Sequence, residues 1–241
     1  MSETARKANK QIARAAGTVM LAFVISQLAG LVRSILVART FGASAELSAF
    51  IAANRVSETL FTLLAGGVLS SAFIPTFTTF LTKNDKGSAW RLASAITNLI
   101  IIILGALAAL AAVFAPQISR YLLVPGFAND PVLLKLTVDM VRIQLGSAVI
   151  FALGGLAMGI LNAHQVFLIP ALTPALYQIG LIFGVLVLAP RMGIYGLAYG
   201  VLIGSSLYLL LQVPTLIKSG ARFTATLGRI GPSVAEVLRW M

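Results

Sequence analysis

The sequence contains no cysteine and only one histidine, His164. The first absence excludes disulfides and thiolate metal sites, and the second excludes a multi-histidine metal centre within this chain. Charged residues make up 10% of the 241 residues, against about 25% in a typical soluble domain. No stretch resembles a nucleotide-binding loop, a catalytic triad or a metal site. The sequence therefore predicts no enzyme activity, no cofactor and no metal.

Apolar residues, in contrast, are abundant. They make up 59% of the chain, and the mean hydropathy is +0.95. This composition predicts an all-α polytopic membrane protein. The formal net charge of +11 would suggest a nucleic-acid partner in a soluble protein. In a membrane protein the positions of the charges matter more than their sum, so no nucleic acid is expected as a partner.

Six apolar segments have roughly the 20 or more residues that a helix needs to cross about 30 Å of hydrocarbon. They are 16–39, 46–80, 89–114, 133–162, 166–189 and 193–217. The second is too long for one straight helix, and Gly66, Gly67 and Pro75 predict a bend or break in it. The predicted fold class is thus a six-helix transmembrane bundle.

Three regions follow along the chain. Residues 1–15 form a basic N-terminus, residues 16–217 the transmembrane bundle, and residues 218–241 a basic linker in which a further helix begins. If the N-terminus is cytoplasmic, that side holds eleven Lys and Arg residues and the opposite side holds four. The positive-inside rule then predicts that both ends of the chain are cytoplasmic.

Three arginines remain for the membrane, namely Arg33, Arg55 and Arg142. They lie about seven, eight and nine residues from the outer ends of the first, second and fourth spans, which is roughly 10 to 13 Å at helical rise. A central arginine costs about 2.5 to 3.5 kcal/mol, and such charges usually face a bundle interior or a wet cavity. The three therefore predict one hydrated cationic cavity, in which the arginine fork fits phosphate or carboxylate.

Alternatives stay open for these residues. An arginine side chain can extend to the interface from such depths. Glu58 lies three residues after Arg55 and Asp139 three before Arg142, so each acid is a candidate charge partner on the same helix face. Gln27 is predicted either to bond between helices or to line the cavity.

Residues outside the spans carry simpler predictions. His164 is predicted to be solvated in a short turn, and Trp90 to anchor at the membrane interface. The basic N-terminus is expected to contact anionic headgroups of membrane lipids.

Four stretches resemble one known family. They are GLVRSILVARTFG at 30–42, SSAFIPTF at 70–77, VPGFA at 124–128 and GILNAHQVFLIPALTPAL at 159–176. Together, in this order and at this spacing, they resemble the lipid II flippase (MurJ, or MviN) family of the multidrug/oligosaccharidyl-lipid/polysaccharide exporter superfamily. The likeness covers nearly the whole chain. It implies the N-terminal lobe of a two-lobed transporter in the bacterial inner membrane, with a missing C-terminal lobe as its partner.

The resemblance also implies a mechanism, in which a basic central cavity holds a lipid-linked pyrophosphate and alternating access carries the headgroup outward. Arg33 matches a functionally important arginine of the first helix. Arg55 and Arg142 lie where the family can also carry a basic residue. Gln27, Ser48 and Phe61 depart from the family, which usually carries charge at those positions.

The hypothesis from the sequence is therefore a flippase lobe for a lipid-linked peptidoglycan precursor, with substrate-binding residues Arg33, Arg55, Arg142 and Gln27. One alternative is an exporter of another polyprenyl-linked oligosaccharide or of a drug cation, although a cation exporter would favour an acid without excess arginine. Another is a non-transporting lobe that scaffolds a cell-envelope complex.

Overall fold

The computed structural model describes residues 3–64, 73–221 and 223, and the regular structure in these ranges is entirely helical. The helices are α1 Glu3–Phe41, α2 Ala45–Leu64, α3 Ile74–Thr82, α4 Lys86–Val113, α5 Ala115–Ile118, α6 Pro131–Ala163, α7 Leu168–Phe183, α8 Ala189–Met192, α9 Tyr195–Leu210 and α10 Val213–Lys218. A π-helical turn, Gly184–Leu188, joins α7 to α8 without breaking the rod.

Five helical segments within the described ranges are long and apolar enough to cross a membrane. They are Gly17–Phe41, Lys86–Val113, Pro131–Ala163, Leu168–Met192 and Tyr195–Lys218. They correspond to the first, third, fourth, fifth and sixth predicted spans, with bounds that differ by a few residues. The prediction of an all-α, multi-pass membrane protein is confirmed.

The second predicted span, 46–80, is divided between two helices. Its first part is α2, which carries Glu46, Arg55 and Glu58 and is not one of the five apolar segments. Its last part is α3, where Pro75 lies in the first turn. Proline has no N–H to lose in a first turn, so Pro75 fits this position without the loss of a helical hydrogen bond. The predicted break at Gly66 and Gly67 lies outside the described residues.

Helix α6 contacts more of the long helices than any other described helix does. This helix packs against α2, α4 and α9, while α7 packs against α9 and α1. Two clusters of buried side chains result. One surrounds Phe73, Phe77 and Trp90, and the other includes Phe50, Met140 and Leu197. The bundle therefore has α6 at its centre and α1 at its margin.

The contact between α7 and α9 is lined by glycine. Gly180 and Gly184 on the α7 rod face Gly196, Gly200 and Gly204. A Cβ atom placed on Gly184 would lie only 2.6 Å from the carbonyl oxygen of Gly196. Small residues let membrane helices approach backbone to backbone, where van der Waals packing stabilises the pair. We call these five residues the glycine seam.

The chain alternates between two ends of the bundle. The turns at 42–44, 114–130 and 193–194 share one end, called here the Gly42 end. The turns at 83–85, 164–167 and 219–221 share the other, called the Lys86 end. The bond from Arg142 on α6 to Ala112 on α4 links neighbouring helices at the Gly42 end, and the Trp90–His164 ring contact does so at the Lys86 end.

Candidate functional site

A groove opens between α1 and α2 near the Gly42 end. Gly42 ends α1 with a φ of 58°, a backbone angle that favours glycine, and the Ser44 hydroxyl accepts a hydrogen bond from the Leu47 N–H to cap α2. The short turn brings the two helices back side by side. Since α1 packs on α7 and α2 packs on α6, the two helices splay apart and leave a cavity of about 440 Å³.

Arg33 and Arg55 both line this groove from opposite walls. Glu58, Asn54 and Ser34 line it too, and Leu181 and Leu197 form an apolar floor. A second cavity of about 530 Å³ continues along α2 and is lined by Arg55, Glu58, Thr59 and Thr62. We call the two cavities together the α1–α2 groove. The structure thus brings two of the three predicted intramembrane arginines into one polar space.

Arg33 is half-buried in the groove wall. Its guanidinium donates one hydrogen bond, 3.2 Å long, to the hydroxyl of Ser34, which in turn donates to the Gly30 carbonyl. Arg55 is exposed to the groove, and its guanidinium has no bond to another described residue. Most donors of both guanidinium groups are therefore available to a ligand.

The predicted pairing of Glu58 with Arg55 is wrong in the structure. The Glu58 carboxylate instead accepts a 2.6 Å hydrogen bond from the amide of Asn54, four residues earlier on the same helix face. No ion pair joins Glu58 to Arg55 among the described side chains. The i, i+4 spacing of Asn54 and Glu58 is a signal that sequence reasoning missed.

Arg142 does not line the α1–α2 groove, so the prediction that it shares a cavity with Arg33 and Arg55 is corrected. It is exposed on α6, and its Nε donates a 3.2 Å hydrogen bond to the carbonyl of Ala112. Ala112 is in the last turn of α4, where carbonyls have no partner within the helix. Arg142 therefore caps α4 and places a cation against the negative end of its dipole.

Asp139 does not pair with Arg142 either. Its carboxylate accepts a 3.1 Å hydrogen bond from the hydroxyl of Tyr195, at the start of α9. Spacing along α6 favours the pair, but each member finds a closer partner on another helix. The bond ties the third turn of α6 to the first turn of α9.

Gln27 is exposed on α1 and is not among the residues that line the α1–α2 groove. Two nearby residues of α1, Ser26 and Gly30, point towards α7. The Ser26 hydroxyl donates to the Ala22 carbonyl at 2.9 Å and to the Ala171 carbonyl at 3.3 Å, and Gly30 lies against the amide of Gln178. The polar face of α1 is thus split between a helix contact and the groove.

The other positions that depart from the family pattern have local roles. The Ser48 hydroxyl donates to the carbonyl of Ser44. Phe61 joins an aromatic cluster, with its ring 6.0 Å from that of Phe151, which also contacts Tyr177 and Tyr208. An aromatic cluster therefore occupies the position at which the resemblance implies a charged side chain.

The prediction that His164 is solvated is also corrected. It is half-buried instead of solvated, with its ring 5.9 Å from Trp90 and 5.7 Å from Phe77. Its Nδ1 lies 2.9 Å from the Ile160 carbonyl. The aromatic partners come from distant segments of the chain, so the turn around His164 gave no local sign of them.

A helical membrane bundle with a cationic, water-accessible groove between its first two helices is a form that occurs among polytopic transporters. Comparison with known proteins gives the particular family. The family model described as "Lipid II flippase MurJ" matches residues 37–241. The chain belongs to the lipid II flippase MurJ family.

Individual relatives with the same family name also match the chain. A probable lipid II flippase MurJ of Buchnera aphidicola is 32% identical over 203 residues, which cover 83% of this chain and 40% of the relative. The lipid II flippase MurJ of Burkholderia cenocepacia is 32% identical over 169 residues, covering 70% of this chain and 33% of the relative. The chain thus spans less than half the length of these curated relatives.

A solved structure shows the same arrangement of helices. A lipid II flippase MurJ in an inward closed conformation superposes with a TM-score of 0.73 at 26% sequence identity. The match covers 92% of this chain and 46% of that protein.

Proposed function

We propose that this chain forms the N-terminal lobe of a lipid II flippase, and that its α1–α2 groove binds the pyrophosphate of a lipid-linked peptidoglycan precursor. The observation that carries the proposal is the placement of Arg33 and Arg55 on opposite walls of one groove, with most of their donors unused. Membership of the family supplies the substrate class.

The chemistry of the groove fits an anion. Arg33 and Arg55 together outnumber the single acid, Glu58, and that acid is already bonded to Asn54. A guanidinium can bind two phosphate oxygens at once, which fixes orientation as well as charge. The apolar floor of Leu181 and Leu197 suits the lipid side of such a substrate. The excess of arginine argues against a drug cation as the cargo.

Because relatives are more than twice as long, the proposed partner is a C-terminal lobe that closes the groove from the other side. Alternating access then requires movement of one lobe against the other. In this proposal the protein resides in the bacterial inner membrane, and residues 1–15 and 218–241 are the basic cytoplasmic segments that flank the bundle.

Binding tests the proposal directly. The full chain, joined to the C-terminal lobe of a relative, is mixed with a polyprenyl-pyrophosphate sugar, and the complex is measured by native mass spectrometry. Arg33→Ala removes a charge-assisted contact, so affinity is expected to fall about tenfold or more. Arg33→Lys keeps the charge but loses the fork, so it should bind between the wild type and Arg33→Ala.

Arg120→Ala is the matched control, since Arg120 is an exposed arginine outside the groove. It should leave affinity unchanged. Equal affinity for wild type, Arg33→Ala and Arg33→Lys would overturn the proposal and leave packing or interfacial contact as the role of Arg33. Tighter binding of organic cations than of the lipid would favour the drug-exporter alternative.

Orientation has its own test. The chain lacks cysteine, so single cysteines can be placed at Lys83 and Asn129, which are exposed at opposite ends of the bundle. With cytoplasmic chain ends, an impermeant thiol reagent applied to intact cells should label position 129 and not position 83. Labelling of position 83 alone would show that the chain has the opposite orientation in the membrane.

A further inference from the structure

A third cavity, of about 610 Å³, lies at the Lys86 end and shares no lining residue with the α1–α2 groove. One wall comes from the first turns of α4, and the other from the end of α10 and the turn after it. The lining residues are Lys86, Gly87, Trp90, Arg91, Lys218, Ser219 and Gly220. We call this cavity the Trp90 pocket.

Its charge is strongly unbalanced. Lys86, Arg91 and Lys218 line the pocket, and none of them forms an ion pair with a described residue. Arg91 donates one 3.0 Å hydrogen bond to the Ser88 hydroxyl. Asp85, the acid next to Lys86 in the chain, accepts the Ser88 N–H at 3.0 Å as the cap of α4. Three cations thus face the cavity, and the nearby carboxylate is already hydrogen-bonded.

Trp90 adds an unpaired donor. Its side chain is only 8% exposed, held edge-on to Phe77 at 5.8 Å and stacked on His164. No described residue accepts a hydrogen bond from its indole N–H. That nitrogen lies 3.9 Å from the position of a Cβ on Gly220, so it faces the wall of the pocket. The indole N–H lies on the exposed part of the ring at the pocket, where a ligand can accept its hydrogen bond.

Two backbone features keep the pocket open. Gly220 has a φ of 88°, which a residue with a side chain rarely adopts, and Gly87 adds no side chain on the α4 wall. The pocket also lies at the N-terminus of α4, a helix of 28 residues whose dipole favours an anion there. Charge, donor and helix dipole therefore all favour the same kind of ligand.

We propose that the Trp90 pocket binds the phosphate of an anionic phospholipid headgroup. Lys86, Arg91 and Lys218 supply the charge, and the Trp90 indole donates to a phosphate oxygen. The pocket lies where the apolar segments Lys86–Val113 and Tyr195–Lys218 reach one membrane surface. Ile217 and Phe223, next to the pocket in the chain, are 64% and 59% exposed and offer apolar surface for acyl chains. Basic pockets between helices at such a surface suit lipid headgroups.

The test uses the full chain in detergent and native mass spectrometry with three probes: phosphatidylglycerol, phosphatidylcholine and inorganic phosphate. Phosphatidylglycerol should bind best, because it adds net charge and acyl chains. Arg91→Gln and Lys218→Gln should each weaken its binding about fivefold, the effect of about 1 kcal/mol for each cation near a membrane surface. Lys83→Gln is the matched control, since Lys83 is exposed at the same end but outside the pocket.

A second measurement reports on Trp90 itself. The chain has two tryptophans, so Trp240→Phe leaves Trp90 as the sole fluorophore. Brominated phosphatidylglycerol should quench it more strongly than brominated phosphatidylcholine, and Arg91→Gln should reduce the difference. Trp90→Phe keeps the ring but removes the donor, so it should also weaken binding in the mass spectrometer.

Three outcomes would overturn the proposal. One is an equal loss of binding in Lys83→Gln and Arg91→Gln, which would indicate general surface charge. Another is equal binding of the two phospholipids. The last is binding of inorganic phosphate that matches phosphatidylglycerol, which would make the site one for free anions. The charge variants alter exposed or solvated side chains, so the test does not depend on whether Trp90→Phe folds.

Discussion

Where α7 crosses α9, five glycines bring two backbones into direct contact; where α1 faces α2, two arginines, an acid and an asparagine line open space. Both regions touch the same helix, because α7 packs on α9 with one face and on α1 with another. The glycine seam is complete within this chain. The α1–α2 groove keeps donors that only a ligand, water or another polypeptide can satisfy.

The glycine seam contributes to the stability of the bundle, whereas the α1–α2 groove offers groups for ligand binding. In the seam, any added atom meets backbone, so the packing tolerates little change. In the groove, polar groups are held apart by helices that pack elsewhere, so their side chains can change without moving a backbone. Substitutions should therefore affect stability in the seam and ligand binding in the groove.

The largest expected effect is at the seam. In Gly184→Ala the new Cβ would lie 2.6 Å from the Gly196 carbonyl oxygen and 2.9 Å from the Gly200 Cα. Since both atoms are backbone, the helices must separate, and the free energy of unfolding should fall by about 1 to 3 kcal/mol. Unfolding in mixed micelles, followed by circular dichroism, measures the change.

Gly105→Ala is the matched control, because nothing lies within 4 Å of a Cβ at that helical position. It should leave the unfolding free energy within about 0.5 kcal/mol of wild type. If both variants lose the same amount, the seam has no special role and the comparison with the groove fails.

The second prediction concerns the hydrogen bond that joins the third turn of α6 to the first turn of α9. Tyr195→Phe removes the 3.1 Å bond from the tyrosine hydroxyl to the Asp139 carboxylate and leaves the ring in place. A hydrogen bond to a charged group contributes about 1.5 kcal/mol, so the unfolding free energy should fall by about that much. Tyr199→Phe, at an exposed position one turn later, should change it little. A larger loss in Tyr199→Phe would contradict this role for Tyr195.

The third prediction separates the arginines. Arg142→Gln removes the bond to the last turn of α4, so the unfolding free energy should fall by about 0.5 to 1 kcal/mol. Arg55→Gln makes the same chemical change at a guanidinium that faces the groove, and it should not reduce stability. If Arg55→Gln destabilises the fold as much as Arg142→Gln does, Arg55 has a structural role, and the groove does not differ from the rest of the bundle in this respect.

These contrasts show what sequence reasoning could reach. The lengths and apolar composition of the spans predict five of the helices, because the cost of unpaired backbone groups in lipid forces each long apolar run to be helical. Depth along a helix placed Arg33 and Arg55 at a similar level, and both line the α1–α2 groove. It failed for Arg142 because depth does not say which face of the bundle a residue occupies.

The pairings failed for a related reason. Spacing along α6 predicts Arg142 as the partner of Asp139, but it contains no information about Tyr195 or the Ala112 carbonyl on other helices. Glu58 differs, because its partner Asn54 lies on the same helix and competes with Arg55. His164 shows the same limit, since Phe77 and Trp90 reach it only in the folded bundle. The glycine seam has a signal in the sequence that the sequence analysis missed, because Gly180 and Gly184 are four residues apart, as are successive members of Gly196, Gly200 and Gly204.

The smallest expected effect lies outside both regions, at the exposed carboxylate of Asp85, which accepts a hydrogen bond from the Ser88 N–H. Hydrogen bonds from the Ser88 side chain and then its backbone N–H lower the pKa of Asp85 below its ordinary value. A carboxyl whose pKa is lowered by folding stabilises the native state above its unfolded pKa, and that contribution is lost as the pH falls through the folded pKa. The cap of α4 should therefore hold at neutral pH and loosen only in strong acid.

Carbon-detected NMR titration of Asp85 should show the lowered pKa, and Ser88→Ala should raise it towards the ordinary value. Ser94→Ala, on the same helix but remote from the cap, serves as the control. An Asp85 pKa that Ser88→Ala leaves unchanged would contradict the role of the Ser88 hydroxyl, and would place the cause in the backbone N–H of residue 88, which the variant keeps, or in the neighbouring charge of Arg91.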